Sequence, residues 1–184
     1  MVELNNNQSD IKNSEELKES IEKYKVLFDF YKSEAEAQRN EFFKFEDKSS
    51  KHLTVLAILS SILLFVLKDV IFQLSYNLFS VVIIGAFCFT LVSFAASWRF
   101  IFMVLKPQKL KSFPYGNENI AYFDNVNLDV FYYSMSNQYA EVIESYKEAN
   151  AEKVDYLEKA FREIKVSGLL LVFLLTLIFI DKVF

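Results

Sequence analysis

Three glycines and two prolines in 184 residues leave the backbone almost without breakers. Long uninterrupted helices are the expected outcome. One cysteine, Cys88, excludes an internal disulfide, and its place inside an apolar run suits a small buried hydrophobe. One histidine, His52, beside that one cysteine excludes a His-rich or Cys-rich metal cluster. Neither a Gly-rich phosphate loop nor a GxSxG elbow occurs, so the expectation is a non-enzyme with no cofactor. A net charge of -4 does not call for genomic nucleic acid as a partner. No apolar run begins before residue 53, which argues against a cleaved secretory signal.

What the chain does have is apolar length. Hydrophobic residues make up 53% of it, and they are concentrated in blocks. Residues 1–51 carry nine Lys/Arg and twelve Asp/Glu, and 106–165 carry eight and ten. Between and after them lie 53–105 and 166–184, free of charge apart from Lys68-Asp69, Arg99 and Asp181-Lys182. Leu78 to Ser97 contains no charged residue and meets the length of a membrane-spanning helix. Leu53–Leu67 and Val166–Ile180 are shorter, roughly 22 Å at 1.5 Å per residue, and need their flanks to cross about 30 Å of hydrocarbon. Three spans are expected, at about 52–74, 78–103 and 166–184. Lys44, Lys48 and Lys51 precede the first; Arg99 stands in the last turn or two of the second, and Lys106, Lys109 and Lys111 follow it; Lys159, Arg162 and Lys165 precede the third. The positive-inside rule then puts the N-terminus and 106–165 in the cytoplasm and the C-terminus outside. Both charged pairs fall near the outer boundary, where Lys can snorkel beside Asp.

The expected fold is therefore an all-α membrane protein of three transmembrane helices, with two long cytoplasmic helices continuous with spans 1 and 3. Its parts are an N-terminal heptad helix (1–51), a two-span hairpin (52–105), a linker (106–127), an amphipathic helix (128–165) and the third span (166–184). NSEELKES predicts a helix start with Asn13 as N-cap and Glu16 at N3. Leu17, Ile21, Tyr24, Phe28, Tyr31, Ala35, Phe42 and Phe45, with the polar Gln38 filling the place between Ala35 and Phe42, then follow a 4-3 spacing, the a/d seam of a coiled coil and the expected oligomerisation surface. The same register reaches Ser49 and His52. In the second helix, expected to start near Asn127, one stripe runs through Met135, Tyr139, Val142, Tyr146 and Ala149. Another passes through Ile143, Val154, Leu157, Phe161, Ile164 and Gly168, a drifting seam.

Two polar lines mark the spans. Thr54, Ser61 and Lys68 are seven apart with Ala57 on the same face, and Ala86, Thr90, Ser93 and Ser97 follow helical spacing. Such faces serve either as close helix–helix seams or as oxygens lining a water-filled pore, with Lys68 or Asp69 at its outer mouth. Span 3 has only Thr176 to interrupt its apolar surface and reads as lipid-facing. His52 is either an interfacial polar group or a pH sensor. The irregular linker KPQKLKSFPYGNENIAYFDN offers Lys109, Lys111, Phe113, Tyr115, Asn117 and Asn119. These form either a head-group belt or a site where lysines meet phosphates and rings stack a base.

The layout of long helix, two-span hairpin and long charged helix, with YKSEAEAQ from Tyr31 and YKEANAEK from Tyr146, resembles the SLATT group of small bacterial membrane proteins. The membrane component of Hailong-type systems is similar in plan. The third span is additional to that plan. The resemblance implies an anti-phage effector that accompanies a nucleotidyltransferase. It would be a homo-oligomeric channel, expected as a tetramer in membrane lipid, closed until a nucleotide or oligonucleotide signal changes and then depolarising the inner membrane. The rival expectation is a non-conducting, membrane-anchored scaffold that recruits a cytosolic partner through its N-terminal seam.

Overall fold

The computed structural model describes the backbone of residues 2–69, 78–113 and 117–183, and the side chains of 14–68, 78–113 and 120–183. Among the described residues four helices follow one another: α1 (Val2–Asp69), α2 (Leu78–Leu105), α3 (Asn117–Asn125) and α4 (Leu128–Val183). No strand occurs among the described residues. α1, α2 and α4 each contain a stretch long and apolar enough to cross a membrane. The expected all-α architecture holds, and α1 and α4 each join a charged stretch to an apolar one without a break.

Two sequence-based boundaries shift. α1 begins at Val2 and passes through Asn13, because nothing among residues 2–13 breaks a helix. The linker is not irregular throughout. Asn117–Asn125 forms α3, whose last residue folds its side-chain amide back onto the Ala121 carbonyl at 2.6 Å. α4 starts at Leu128 as expected, with the Asn127 carbonyl accepting the Phe131 N–H at 2.9 Å.

Internal contacts divide the chain into two units, Met1–Phe42 with Gln108–Ala149, and Phe43–Pro107 with Asn150–Phe184. In the first unit the α1 seam packs on α4. Tyr24 meets Tyr133 edge-on at 5.4 Å, Phe28 lies 5.5 Å from Tyr139, and Phe42 stands edge-on to Tyr146 at 5.8 Å. Ser20 donates to Asp129 at 3.3 Å, and Phe123 of α3 packs on Phe131 at 4.8 Å.

The second unit is a three-helix bundle with a heptad seam on every member. On α1 a series of covered positions runs through Phe45, Ser49, His52, Leu56, Leu59, Leu63 and Val66; on α2 one runs through Ser80, Ile83, Phe87, Thr90, Phe94, Ser97, Ile101 and Val104, with Ser93 buried beside it. On α4 the series is Asn150, Lys153, Leu157, Ala160, Ile164, Ser167, Leu171, Leu174 and Ile178. Steps of three and four alternate along each series, the pattern that turns one face of each helix to its neighbours. The α4 seam therefore does not drift; Lys153 and Ser167 hold two of its inner positions, while Phe161, expected inside, is 46% exposed. Span 3 likewise is not simply lipid-facing, since Ser167, Leu171, Leu174 and Ile178 are buried.

Hydrocarbon around a membrane helix is as apolar as leucine, so this bundle is held by close packing and hydrogen bonds more than by exclusion of water. The same reasoning explains Cys88, which is exposed on α2 where the sequence suggested burial. It lies off the seam, and an apolar residue facing lipid needs no protein cover.

Candidate functional site

Two places gather the residues that the sequence singled out. The first is the outer face of α1 in the second unit. With Ser49, Leu56 and Leu63 at the a positions, Thr54, Ser61 and Lys68 all fall at f, the position farthest from the seam. All three are exposed, as is Ala57. The Thr54 hydroxyl donates to the Ser50 carbonyl at 3.2 Å and that of Ser61 to the Ala57 carbonyl at 2.9 Å. Each proton is thereby spent on the helix's own backbone, which leaves the oxygen lone pairs directed outward. The face is a ladder of acceptors on a membrane-spanning helix. The Asp69 side chain lies outside the described residues.

The second polar line goes the other way. Thr90, Ser93 and Ser97 on α2 are buried within the bundle, so these three act as a helix–helix seam and not as an outward lining. Ser167 donates to the Glu163 carbonyl at 2.8 Å, which makes Ser93 the donor across the 2.8 Å Ser93–Ser167 contact. Ser97 sits 3.3 Å from the same oxygen while donating to the Ser93 carbonyl. Thr90 donates to the Ala86 carbonyl at 2.8 Å. Sequence reading missed Ser167, because a lone serine in an apolar run carries no periodic signal of its own.

The second place is a cleft of about 360 Å³ in the first unit. α1 contributes Ala35, Glu36 and Arg39, the linker Lys111, Ser112 and Phe113, and α4 Tyr139, Val142 and Tyr146. Lys111 and Phe113 are thus brought together, and Lys109 is exposed but does not line the cleft. The side chains of Tyr115, Asn117 and Asn119 lie outside the described residues. The linker is pinned by the Lys111 N–H donating to Ser145 Oγ at 3.1 Å and by Lys111 Nζ on Glu141 Oε2 at 3.0 Å. Phe113 lies against Tyr139 with ring centroids 4.1 Å apart. Burial, with the Glu36 carboxylate adding to it, pushes the Tyr139 phenol above its ordinary value. That leaves it a neutral O–H donor at physiological pH. The cleft therefore offers aromatic walls, a phenol donor, two cationic side chains and the Glu36 carboxylate, a combination that can take a flat ring with an anionic group placed toward Arg39 and Lys111. Arg39, Tyr139 and Tyr146 were not named as ligand residues from sequence; their helices converge only in the fold.

The heptad residues expected to join copies of the chain are largely spent within it. Phe42 and Phe45 are buried, and Ile21, Tyr24, Phe28 and Tyr31 are half-covered, leaving only Leu17 nearly half exposed. His52 is half-buried, 5.8 Å from the Phe161 ring. No family model matches this chain, and neither does any curated protein or solved structure.

Proposed function

We propose that this chain is the subunit of a homo-oligomeric membrane pore, with the outer face of α1 lining the conducting path. The observation that carries the reading is the acceptor line of Thr54 and Ser61. Both sit at the heptad position most remote from the intrachain seam, yet on a stretch apolar enough to cross a membrane. A row of outward oxygens gains nothing from lipid tails, but it suits water and a passing cation. Copies packed around an axis would bring these lines together, with Lys68 at the end of the path. A tetramer in a bacterial inner membrane, with the N-terminus cytoplasmic, completes the proposal.

The cleft around Phe113 and Tyr139 is the proposed receptor for the gating signal, a nucleotide-derived anion whose base stacks on the rings and whose phosphate meets Arg39 and Lys111. In that role the chain would act as the effector of a nucleotidyltransferase in anti-phage defence, depolarising the cell when released. Purified protein reconstituted in liposomes tests this through ion flux, oligomer mass and their response to nucleotides. A monomer in detergent and in nanodiscs, or an absence of flux under every ligand tried, would overturn it.

A further inference from the structure

Among the described residues, Lys153 is the largest side chain with no exposure at all. It sits on α4 at an inner seam position, between Asn150 and Leu157. Its Nζ lies 2.9 Å from Glu46 Oε1 on α1 and 2.6 Å from the Val104 carbonyl oxygen on α2. One ammonium therefore ties all three helices of the bundle.

The α2 contact has a clear cause. α2 ends at Leu105, and Pro107 bars its continuation, so its last carbonyls lack partners within the helix. The Val104 carbonyl is among them. A lysine from another helix caps it, and the negative end of the α2 dipole joins the Glu46 carboxylate in offsetting a charge removed from water. The two partners of the ion pair differ in access. The Glu46 side chain is 34% exposed, whereas that of Lys153 is sealed. Anything acting from solution must act on Glu46.

We propose that Lys153 is a latch on the C-terminal end of α2, held shut by the Glu46 charge. With the carboxylate present, the ammonium is compensated in place and keeps the α2 end seated against α1 and α4. With that charge removed, a buried cation is left with too little compensation. Such an ammonium must shed its proton or reach water; in the latch the helices part and water reaches Nζ, which frees the α2 end. The latch belongs to the bundle and holds whether or not the assembled protein conducts.

The test uses the full chain with Cys88→Ala and Val104→Cys, a buried position whose carbonyl the substitution preserves. The readout is the rate at which a water-soluble maleimide labels the new thiol in nanodiscs. Glu46→Gln should accelerate labelling about tenfold or more, because half of a buried pair has been removed. Lys153→Met should stay within about threefold of the parent, since a methionine of similar shape leaves no charge to hydrate. The double variant should return to the slow rate. If Glu46→Gln alone fails to fold and the double variant folds, the coupling is equally demonstrated. Glu46→Gln labelling at the parent rate, or a double variant as fast or as unfolded as Glu46→Gln, overturns the latch. Ion flux from the same preparations judges the pore separately.

Discussion

The hydroxyl of Ser93 lies 2.8 Å from that of Ser167, joining α2 to α4 through two side chains 74 residues apart. The contact is buried, and both oxygens belong to stretches apolar enough to cross a membrane. In such surroundings a side-chain hydrogen bond between helices contributes on the order of 0.5–1.5 kcal/mol. Ser93→Ala and Ser167→Ala should each lower the unfolding free energy in detergent by about that amount, with the double variant costing little more than either single one. Strictly additive losses would show that the two hydroxyls do not interact.

The seam and the outer face of α1 should respond in opposite ways. Leu56 is fully buried at an inner position, so Leu56→Ala removes packing on every side and should lower the melting temperature clearly. Thr54→Leu and Ser61→Leu stand at outer positions and should leave stability within about 0.5 kcal/mol. The same two changes should abolish ion flux if the acceptor line is the path. Unchanged flux in a stable double variant would remove α1 from the pore.

Ligand binding to the cleft should depend on side chains that stability does not need. The Lys111–Glu141 pair is exposed on both sides and contributes at most about 1 kcal/mol. Lys111→Ala and Arg39→Ala should therefore leave the melting temperature nearly unchanged, yet each should weaken nucleotide binding about tenfold in calorimetry, as expected for a lost charge-assisted bond. Phe113→Ala removes a stacking wall and should have a comparable effect. Wild-type affinity in all three variants would move the receptor elsewhere.

Tyr139 gives an alkaline signature. Burial, first, and the Glu36 carboxylate, second, raise its phenol above 10.0, so the folded state favours the neutral form. The stability this represents is fully present below the unfolded value and is lost as pH rises through the folded one. The protein should weaken above about pH 10, and Tyr139→Phe should show a shallower decline over the same range. An identical alkaline profile for Tyr139→Phe, followed by circular dichroism, counts against that environment.

The α1 seam was legible because its positions from Leu17 to Phe45 are apolar or small except Gln38, and the 4-3 spacing stands out against charged neighbours. The three apolar stretches were equally plain. The seam of α4 was not, because Lys153 and Ser167 occupy inner positions that hydropathy assigns to the outside. What makes a lysine tolerable there is Glu46, 107 residues away, and the end of another helix. No local pattern contains that information. The cleft was half legible for the same reason. Lys111 and Phe113 stood out in a linker, whereas Arg39 and Tyr146 looked like ordinary residues on two separate helices until folding brought them to one cleft.

The unbroken alternation of three and four on α1, α2 and α4 also restricts how the bundle can move. A helix sliding along such a seam finds its next matching set of hollows only after seven residues, about 10 Å of travel. Shorter steps set side chain against side chain. A full step would also slide Lys153 away from Glu46 and Ser167 away from Ser93. Pistons are thus disfavoured, and the motions left to these helices are rolling about their own axes and splaying at their ends.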